Sequence, residues 1–158
     1  MGISDFRGKV VVLAFLDPGC TDVCPLTAFQ FRLANQRLGP LAEHLAFLGV
    51  NVNPKLNSVG DVAEATAKWG MDTVQGWHYL TGDEGALERV SKAYYVFAAG
   101  PKSDKPEEIE HTPGVYIIDR AGKQRWYISV PPADSGWTGP ALSDVLQERL
   151  VPLLAGAK

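Results

Sequence analysis

Lys9-Val10-Val11-Val12-Leu13-Ala14-Phe15-Leu16, then Asp17-Pro18-Gly19, then Cys20-Thr21-Asp22-Val23-Cys24-Pro25: this stretch decides how the chain is read. After Lys9 the run is continuous, apolar and rich in β-branched residues, the pattern of a strand buried on both faces. Asp17-Pro18-Gly19 is a turn signal. Residues 26–38 then place Leu26, Phe29, Leu33 and Ala34 at helical spacing, with Leu38 following. Pro25 is tolerated in a first helical turn, where its missing N–H would have no partner, and Gly39-Pro40 ends the helix. The chain thus begins as strand, cysteine loop, helix.

The rest continues in kind. Residues 45–51 predict a second strand, 53–58 a loop, 61–69 a helix closed by Gly70, and 77–80 a short strand. Thr81 and Glu84 stand at capping-box spacing before a helix that runs to Ala93. Residues 94–98 read as briefly extended. Residues 100–110 are polar and charged, with Pro101 and Pro106, and read as a solvated loop or insertion. An apolar strand at 114–119 turns through Arg120-Ala121-Gly122-Lys123 into a partner at 124–130. After a loop at 131–136, Thr138-Gly139-Pro140 opens a final helix with Leu142, Val145, Leu146, Leu150 and Leu153 on one face. Strands alternating with helices predict an α/β fold, a central mixed sheet flanked by helices with a late antiparallel edge, in one domain over residues 1–158.

The totals narrow the function. A length of 158 residues, 46% of them apolar, suits an ordinary globular domain. Fifteen Lys and Arg against eighteen Asp and Glu leave a formal charge of −3, which excludes a strong field for nucleic acid or anionic membranes. The apolar runs at 10–16 and 45–50 are far shorter than the ~20 residues of a membrane span. Nothing at Met1-Gly2-Ile3 reads as a signal peptide; any anchor or leader of the natural protein would lie outside this segment.

Cys20 and Cys24 are the only cysteines. As a staple they are weak: a disulfide closing so short a loop contributes roughly 2 kcal/mol, against ~4.7 for a 100-residue loop. Their position is more telling, at the C-terminal end of the first strand and the mouth of a helix, where open α/β sheets place their sites. If Cys24 stands at the helix start, the free N–H groups and the dipole favour its thiolate. Asp22 either opposes this with its charge or caps the helix; the sequence leaves both roles open. With three residues between them, the sulfurs can meet as a disulfide or face one soft ion. Two thiolates suit Cu(I), and a nearby imidazole completes a three-coordinate site that also accepts Cu(II). Structural zinc takes four protein ligands and would need more. Of the three histidines, His44 reads as solvated in a linker and His78 as a half-buried strand residue among aromatics. His111 precedes Thr112-Pro113-Gly114 and an apolar strand.

Phe15 together with Cys20-Thr21-Asp22-Val23-Cys24-Pro25 resembles the F-x4-C-x-D-V-C-P signature of the Sco/SenC family. Leu80-Thr81-Gly82 is similar to that family's L-T-G, and His111-Thr112 before Val115-Tyr116-Ile117-Ile118-Asp119 to its distal histidine and following strand. The likeness covers residues 6–127. It implies a thioredoxin-like fold and a membrane-anchored copper chaperone and thiol oxidoreductase that assists the CuA site of cytochrome c oxidase. It implies Cys20, Cys24 and His111 as copper ligands for Cu(I) or Cu(II), and Cys20 and Cys24 as the redox pair. It also implies Pro113 as a cis-proline opposite the cysteines, the CuA-bearing subunit or another thiol or copper protein as partner, and a place on the extracytoplasmic face of a bacterial membrane. Two positions depart from the family pattern. Pro18 stands where a threonine is frequent. Asn51-Val52-Asn53-Pro54-Lys55 replaces an Asp-Pro with further acids, a change expected to alter cysteine acidity, metal affinity or a partner contact.

Three other readings compete. Thr21-Asp22-Val23-Cys24 fits the T-x-x-C of a peroxiredoxin with Cys24 peroxidatic, but the arginine expected near that thiolate is missing around 111–113; Arg120 and Arg125 lie beyond. A thiol–disulfide oxidoreductase without copper would use His111 only to tune the thiols. An interaction module with an incidental disulfide ranks last.

Overall fold

The structure is a computed structural model that describes residues 1–101, 108–131 and 135–156. Among the described residues, seven strands and four α-helices follow one another as β1 (Val10–Leu16), α1 (Val23–Leu38), β2 (Leu45–Asn51), α2 (Val59–Lys68), β3 (Trp77–Leu80), α3 (Glu84–Ala93), β4 (Ala98–Pro101), β5 (Ile109–His111), β6 (Gly114–Ile118), β7 (Gln124–Ser129) and α4 (Leu142–Ala155). The main sheet runs β3-β2-β1-β6-β7. β1 is parallel to β2, β2 to β3, and the β6–β7 hairpin is antiparallel. The mixed sheet and its flanking helices are those expected, with one refinement. The late hairpin does not merely extend an edge, because β6 lies antiparallel against β1 and only β7 is outermost.

All seven residues of β1 are buried, and alternation divides them between two cores. Val10, Val12, Ala14 and Leu16 join Cys20, Cys24, Phe31 of α1 and Leu146 and Leu150 of α4. Val11, Leu13 and Phe15 face the other way, among Val96, Ile109 and Tyr116, with Val90 of α3 against them. α1 and α4 are further joined by Arg37, whose Nη1 lies 2.7 Å from Asp144, and by Gln30, whose side-chain oxygen accepts the Ser143 N–H at the start of α4.

Several local expectations change. The inward face of α1 is Cys24, Thr27, Ala28, Phe31, Ala34 and Leu38. Leu26 and Phe29 are exposed, although both belong to the predicted apolar stripe. The helix is rotated by the demand of its first turn, where Cys24 is seated in the core. α2 starts earlier than predicted, on a capping box between Ser58 and Asp61. α3 is capped by Asp83, whose carboxylate accepts the Ala86 N–H at 2.8 Å, and not by a box from Thr81. Tyr94 and Tyr95 form a turn rather than an extended segment, with Tyr95 at φ 57°. The predicted polar loop at 100–110 contains strand at both ends: β4 and β5 pair as a separate two-stranded sheet. Residues 102–107 of that loop, and 132–134 of the one predicted at 131–136, lie outside the described residues. Among the described residues no peptide bond is cis, so the Thr112–Pro113 bond is trans, contrary to the resemblance. Among them, too, no helix is long and apolar enough to cross a membrane.

Candidate functional site

The chain leaves β1 at Leu16 and turns sharply. The Asp17 carbonyl accepts the Cys20 N–H at 3.0 Å, and the Asp17 carboxylate accepts the Gly19 N–H at 2.9 Å. This turn brings Cys20 back over the first turn of α1. There the Cys24 N–H points at Cys20 Sγ, 3.4 Å away. Asp22 is the N-cap: its Oδ1 accepts the Val23 N–H at 2.6 Å and lies 3.1 Å from Cys20 Sγ, which donates to it. Asp22 thus caps the helix, and the same oxygen, by accepting the Cys20 S–H, also opposes ionisation of that thiol. Pro25 sits in the first turn, as its missing N–H permits.

Both cysteines are free thiols and both are buried, but they are not equivalent. Cys20 stands outside the helix end, where the unpaired N–H groups point. Its thiol is more acidic than ordinary, first through the side-chain hydrogen bond from Cys24, with burial and the Asp22 carboxylate opposing and the N–H groups of Asp22 and Cys24 assisting. Cys24 is the reverse. It is helical, so its side chain leaves the axis towards the core. Burial pushes its thiol well above the ordinary range, and the neighbouring Cys20 adds to this. The expectation that the helix start activates Cys24 is thus corrected: the helix end serves the preceding cysteine. Thiolate absorbance followed against pH should show two steps, one below and one above the ordinary value of 9.0. Cys20→Ser should remove the lower. Cys24→Ala should remove the upper and, by deleting the bond that stabilises the Cys20 thiolate, move the remaining step upward. A single step unmoved by Cys24→Ala would contradict this arrangement.

His111, at the end of β5, completes the group from 87 residues away. Its Nε2 lies 3.6 Å from Cys24 Sγ. Its Nδ1 lies 3.3 Å from the Thr112 carbonyl. A carbonyl only accepts, so in the neutral tautomer that satisfies it Nδ1 carries the proton and the Nε2 lone pair faces the sulfur. Cys24, His111, Thr27, Val23, Pro113 and Val130 are among the residues around a cavity of about 10 Å³. Of the other histidines, His78 packs edge-on against Phe6 at 5.2 Å. His44 is exposed beside Glu43. Both stand where the sequence reading puts them.

Three further polar residues build this site; Asp17 and Glu108 were not singled out from sequence, and Asn53 only as part of a departure from the family pattern. Asp17, read only as part of a turn, is fully buried. Its carboxylate accepts from Asn53 Nδ2 at 2.9 Å, from the Ile109 N–H at 2.7 Å and from Gly19, while its own N–H points at Cys24 Sγ, 3.5 Å away. Asn53, also buried, explains one departure from the family pattern: an amide can donate to Asp17, where a second carboxylate would set two like charges together. It is held in turn by Asn51, whose Oδ1 accepts the Asn53 N–H at 2.8 Å. Glu108 is fully buried, although it belongs to the charged stretch read as solvated. Its Oε1 accepts both the N–H and the hydroxyl of Thr21, at 3.0 and 2.6 Å. Single ligand atoms of Cys20, Asp22 and Glu108 lie within 4.8 Å of one another. The available signal for Asp17 was an acid directly at the end of a buried strand; for Glu108 there was none.

A dithiol at a strand end thus faces an imidazole on a separate two-stranded sheet; comparison with known proteins places the chain itself. The family model described as SCO1/SenC matches residues 1–135. The chain belongs to the SCO1/SenC family. Among curated relatives, the mitochondrial protein SCO2 homolog of Bos taurus is 28% identical over 123 residues, 75% of this chain and 45% of that protein. The chain therefore spans about half the length of the relative it matches. Among solved structures, copper-bound ScoI of Arabidopsis thaliana superposes with a TM-score of 0.77 at 17% identity, covering 98% of this chain and 88% of that one. A SCO1/SenC family lipoprotein from Bacillus anthracis gives 0.75 at 22%, covering 97% and 86%. Copper-bound ScoI of Bradyrhizobium japonicum gives 0.73 at 21%, covering 96% and 88%. The SCO1/SenC fold seen here is the thioredoxin-like one that the resemblance implied.

Proposed function

We propose that this chain is a copper-handling Sco domain in which Cys20, Cys24 and His111 bind copper as cargo, and that it serves the assembly of the CuA site of cytochrome c oxidase. The observation that carries this is His111 Nε2, 3.6 Å from Cys24 Sγ with its other nitrogen turned to the Thr112 carbonyl. A ring fixed in that tautomer offers a ligand lone pair, and two sulfurs with one imidazole form a donor set suited to Cu(I) and able to accept Cu(II). Both sulfurs are buried and His111 is half-buried, which limits access of water to the ion. Solved relatives with copper bound support the same reading. By the same likeness the CuA-bearing subunit, or another thiol or copper protein, is the partner. The domain works on the extracytoplasmic face of a membrane, held there by an anchor outside these residues.

The same pair is also proposed to act as a dithiol. Two thiols lose two protons and pass two electrons to a partner disulfide as the Cys20–Cys24 bond closes, so oxidation and copper binding exclude each other. A related Sco protein has been described as carrying a disulfide switch. A peroxidase centred on Cys24 is disfavoured. That thiol is fully buried and its pKa is raised, while Arg120 contacts Gly8 and Leu154 and Arg125 pairs with Asp119, leaving neither to activate it.

The test is anaerobic titration of the reduced protein with Cu(I) against a competing chelator. His111→Ala should weaken binding by more than about tenfold, at least as much as losing an outer-shell partner costs. Native binding no tighter than micromolar, or binding unchanged in His111→Ala, overturns the three-ligand site.

A further inference from the structure

His111 is carried by the two-stranded sheet β4–β5, which among the described residues has no ladder to the main sheet, and Thr112 and Pro113 alone separate it from β6. Its distance from the cysteines is set by that short link together with contacts between β5 and the cysteine loop. Two buried carboxylates make them. Asp17, at the end of β1, accepts the Ile109 N–H at 2.7 Å. Glu108, directly before β5, reaches the opposite way and accepts two hydrogen bonds from Thr21 on one oxygen. Thr21 stands between Cys20 and the helix cap Asp22. The pair Glu108–Thr21 thus joins the strand of the histidine to the loop of the first cysteine, across 87 residues of sequence. A glutamate with no exposed surface is costly to bury unless its oxygens are engaged. Here it is buried where it can clasp the loop.

We propose that Glu108 is a positioning residue: by clasping Thr21 it fixes β5 against the cysteine loop and keeps His111 over the Cys20–Cys24 pair. Its consequence for copper rests on the function proposed above; the clasp itself does not. Thr21 donates both bonds, so the clasp requires an acceptor oxygen and not a negative charge. Glu108→Gln retains such an oxygen, and Glu108→Ala removes it. A direct ligand role would require the carboxylate.

Two measurements decide the matter. In the reduced, copper-free protein, amide hydrogen exchange at Thr21 and Ile109 and the imidazole shifts of His111 are compared among native, Glu108→Gln and Glu108→Ala. Glu108→Ala should speed exchange at both amides by about tenfold or more and move the His111 shifts, while Glu108→Gln stays near native. Cu(I) affinity is then measured for the same set and for His111→Ala with and without Glu108→Ala. Glu108→Ala should weaken binding about 10- to 100-fold, as outer-shell losses do. In the His111→Ala background it should change binding by no more than about twofold, because it acts through that histidine.

Equal loss in Glu108→Gln and Glu108→Ala overturns the proposal in favour of a charged or ligating role. An undiminished loss in the His111→Ala background overturns it in favour of general structural support. Unchanged exchange and His111 shifts in Glu108→Ala overturn the clasp whether or not copper binds; absence of copper binding by the native protein overturns only the function. Should Glu108→Ala not fold, Thr21→Val deletes the hydroxyl donor alone, and unchanged Ile109 exchange and His111 shifts there overturn the clasp equally.

Discussion

Cys20→Ser and Cys24→Ser are each expected to weaken Cu(I) binding by more than about a hundredfold, beyond the upper end of what an outer-shell loss costs. A serine hydroxyl is a hard, neutral donor, and Cu(I) selects soft thiolates. The two substitutions should nevertheless differ in detail. Cys20 accepts the Cys24 N–H and donates to Asp22 at the cap of α1, where a hydroxyl can take over both roles. Cys24 is seated in the core between the Asp17 N–H and His111 Nε2, where serine is smaller and keeps a polar group facing both. Both variants should therefore fold, and chelator competition reads the loss of ligand rather than of structure. A loss below tenfold in either would remove that cysteine from the proposed site.

The largest effect on stability is expected at Asp17. Asp17→Ala should lower the unfolding free energy by about 3 kcal/mol or more, since each hydrogen bond to a charged group contributes roughly 1.5–3 kcal/mol and buried donors left unpaired cost ~1–3 each. The orphaned donors are the Asn53 amide and the N–H groups of Ile109 and Gly19. They come from three separate segments, the loop after β2, the start of β5 and the cysteine turn, so the loss spreads beyond one loop. For a chain of this size that corresponds to a fall in Tm of roughly 6–12 °C. Asp17→Asn should recover part of it, because one amide oxygen can still accept while the amide N–H₂ meets donors. Calorimetry or denaturant unfolding measures this, and a loss under about 1 kcal/mol would show that the three donors find other partners.

Much of this architecture was legible in the residues. β1 is continuous and apolar because both its faces are covered, and β2 and β3 end on the residues predicted from pattern and turn signals. The cysteine pair was recognisable from spacing, and His111 from the strand that follows it together with a family resemblance. What pattern misjudged was which face of a helix turns inward. Leu26 and Phe29 match helical periodicity as well as Ala28 and Phe31 do, and only the seating of Cys24 beneath β1 decides between them. Glu108 was read as solvated because charge predicts exposure on average. Its burial depends on Thr21, a partner that no local rule identifies.

The order of strands and helices, the placement of two thiols at a strand end and the family follow from periodicity, turn chemistry and a short motif, all of them local to the chain. The tertiary structure decided which thiol is acidic, what holds the histidine and where the buried acids point. Those depend on through-space neighbours: the α1 N–H groups lie beside Cys20 and not around Cys24 Sγ, His111 meets Cys24 only through the β4–β5 hairpin, and Asp17 and Glu108 face donors from segments far along the chain. Electrostatics and hydrogen bonding act over a few ångströms of space, and no spacing along the chain records which residues will share them.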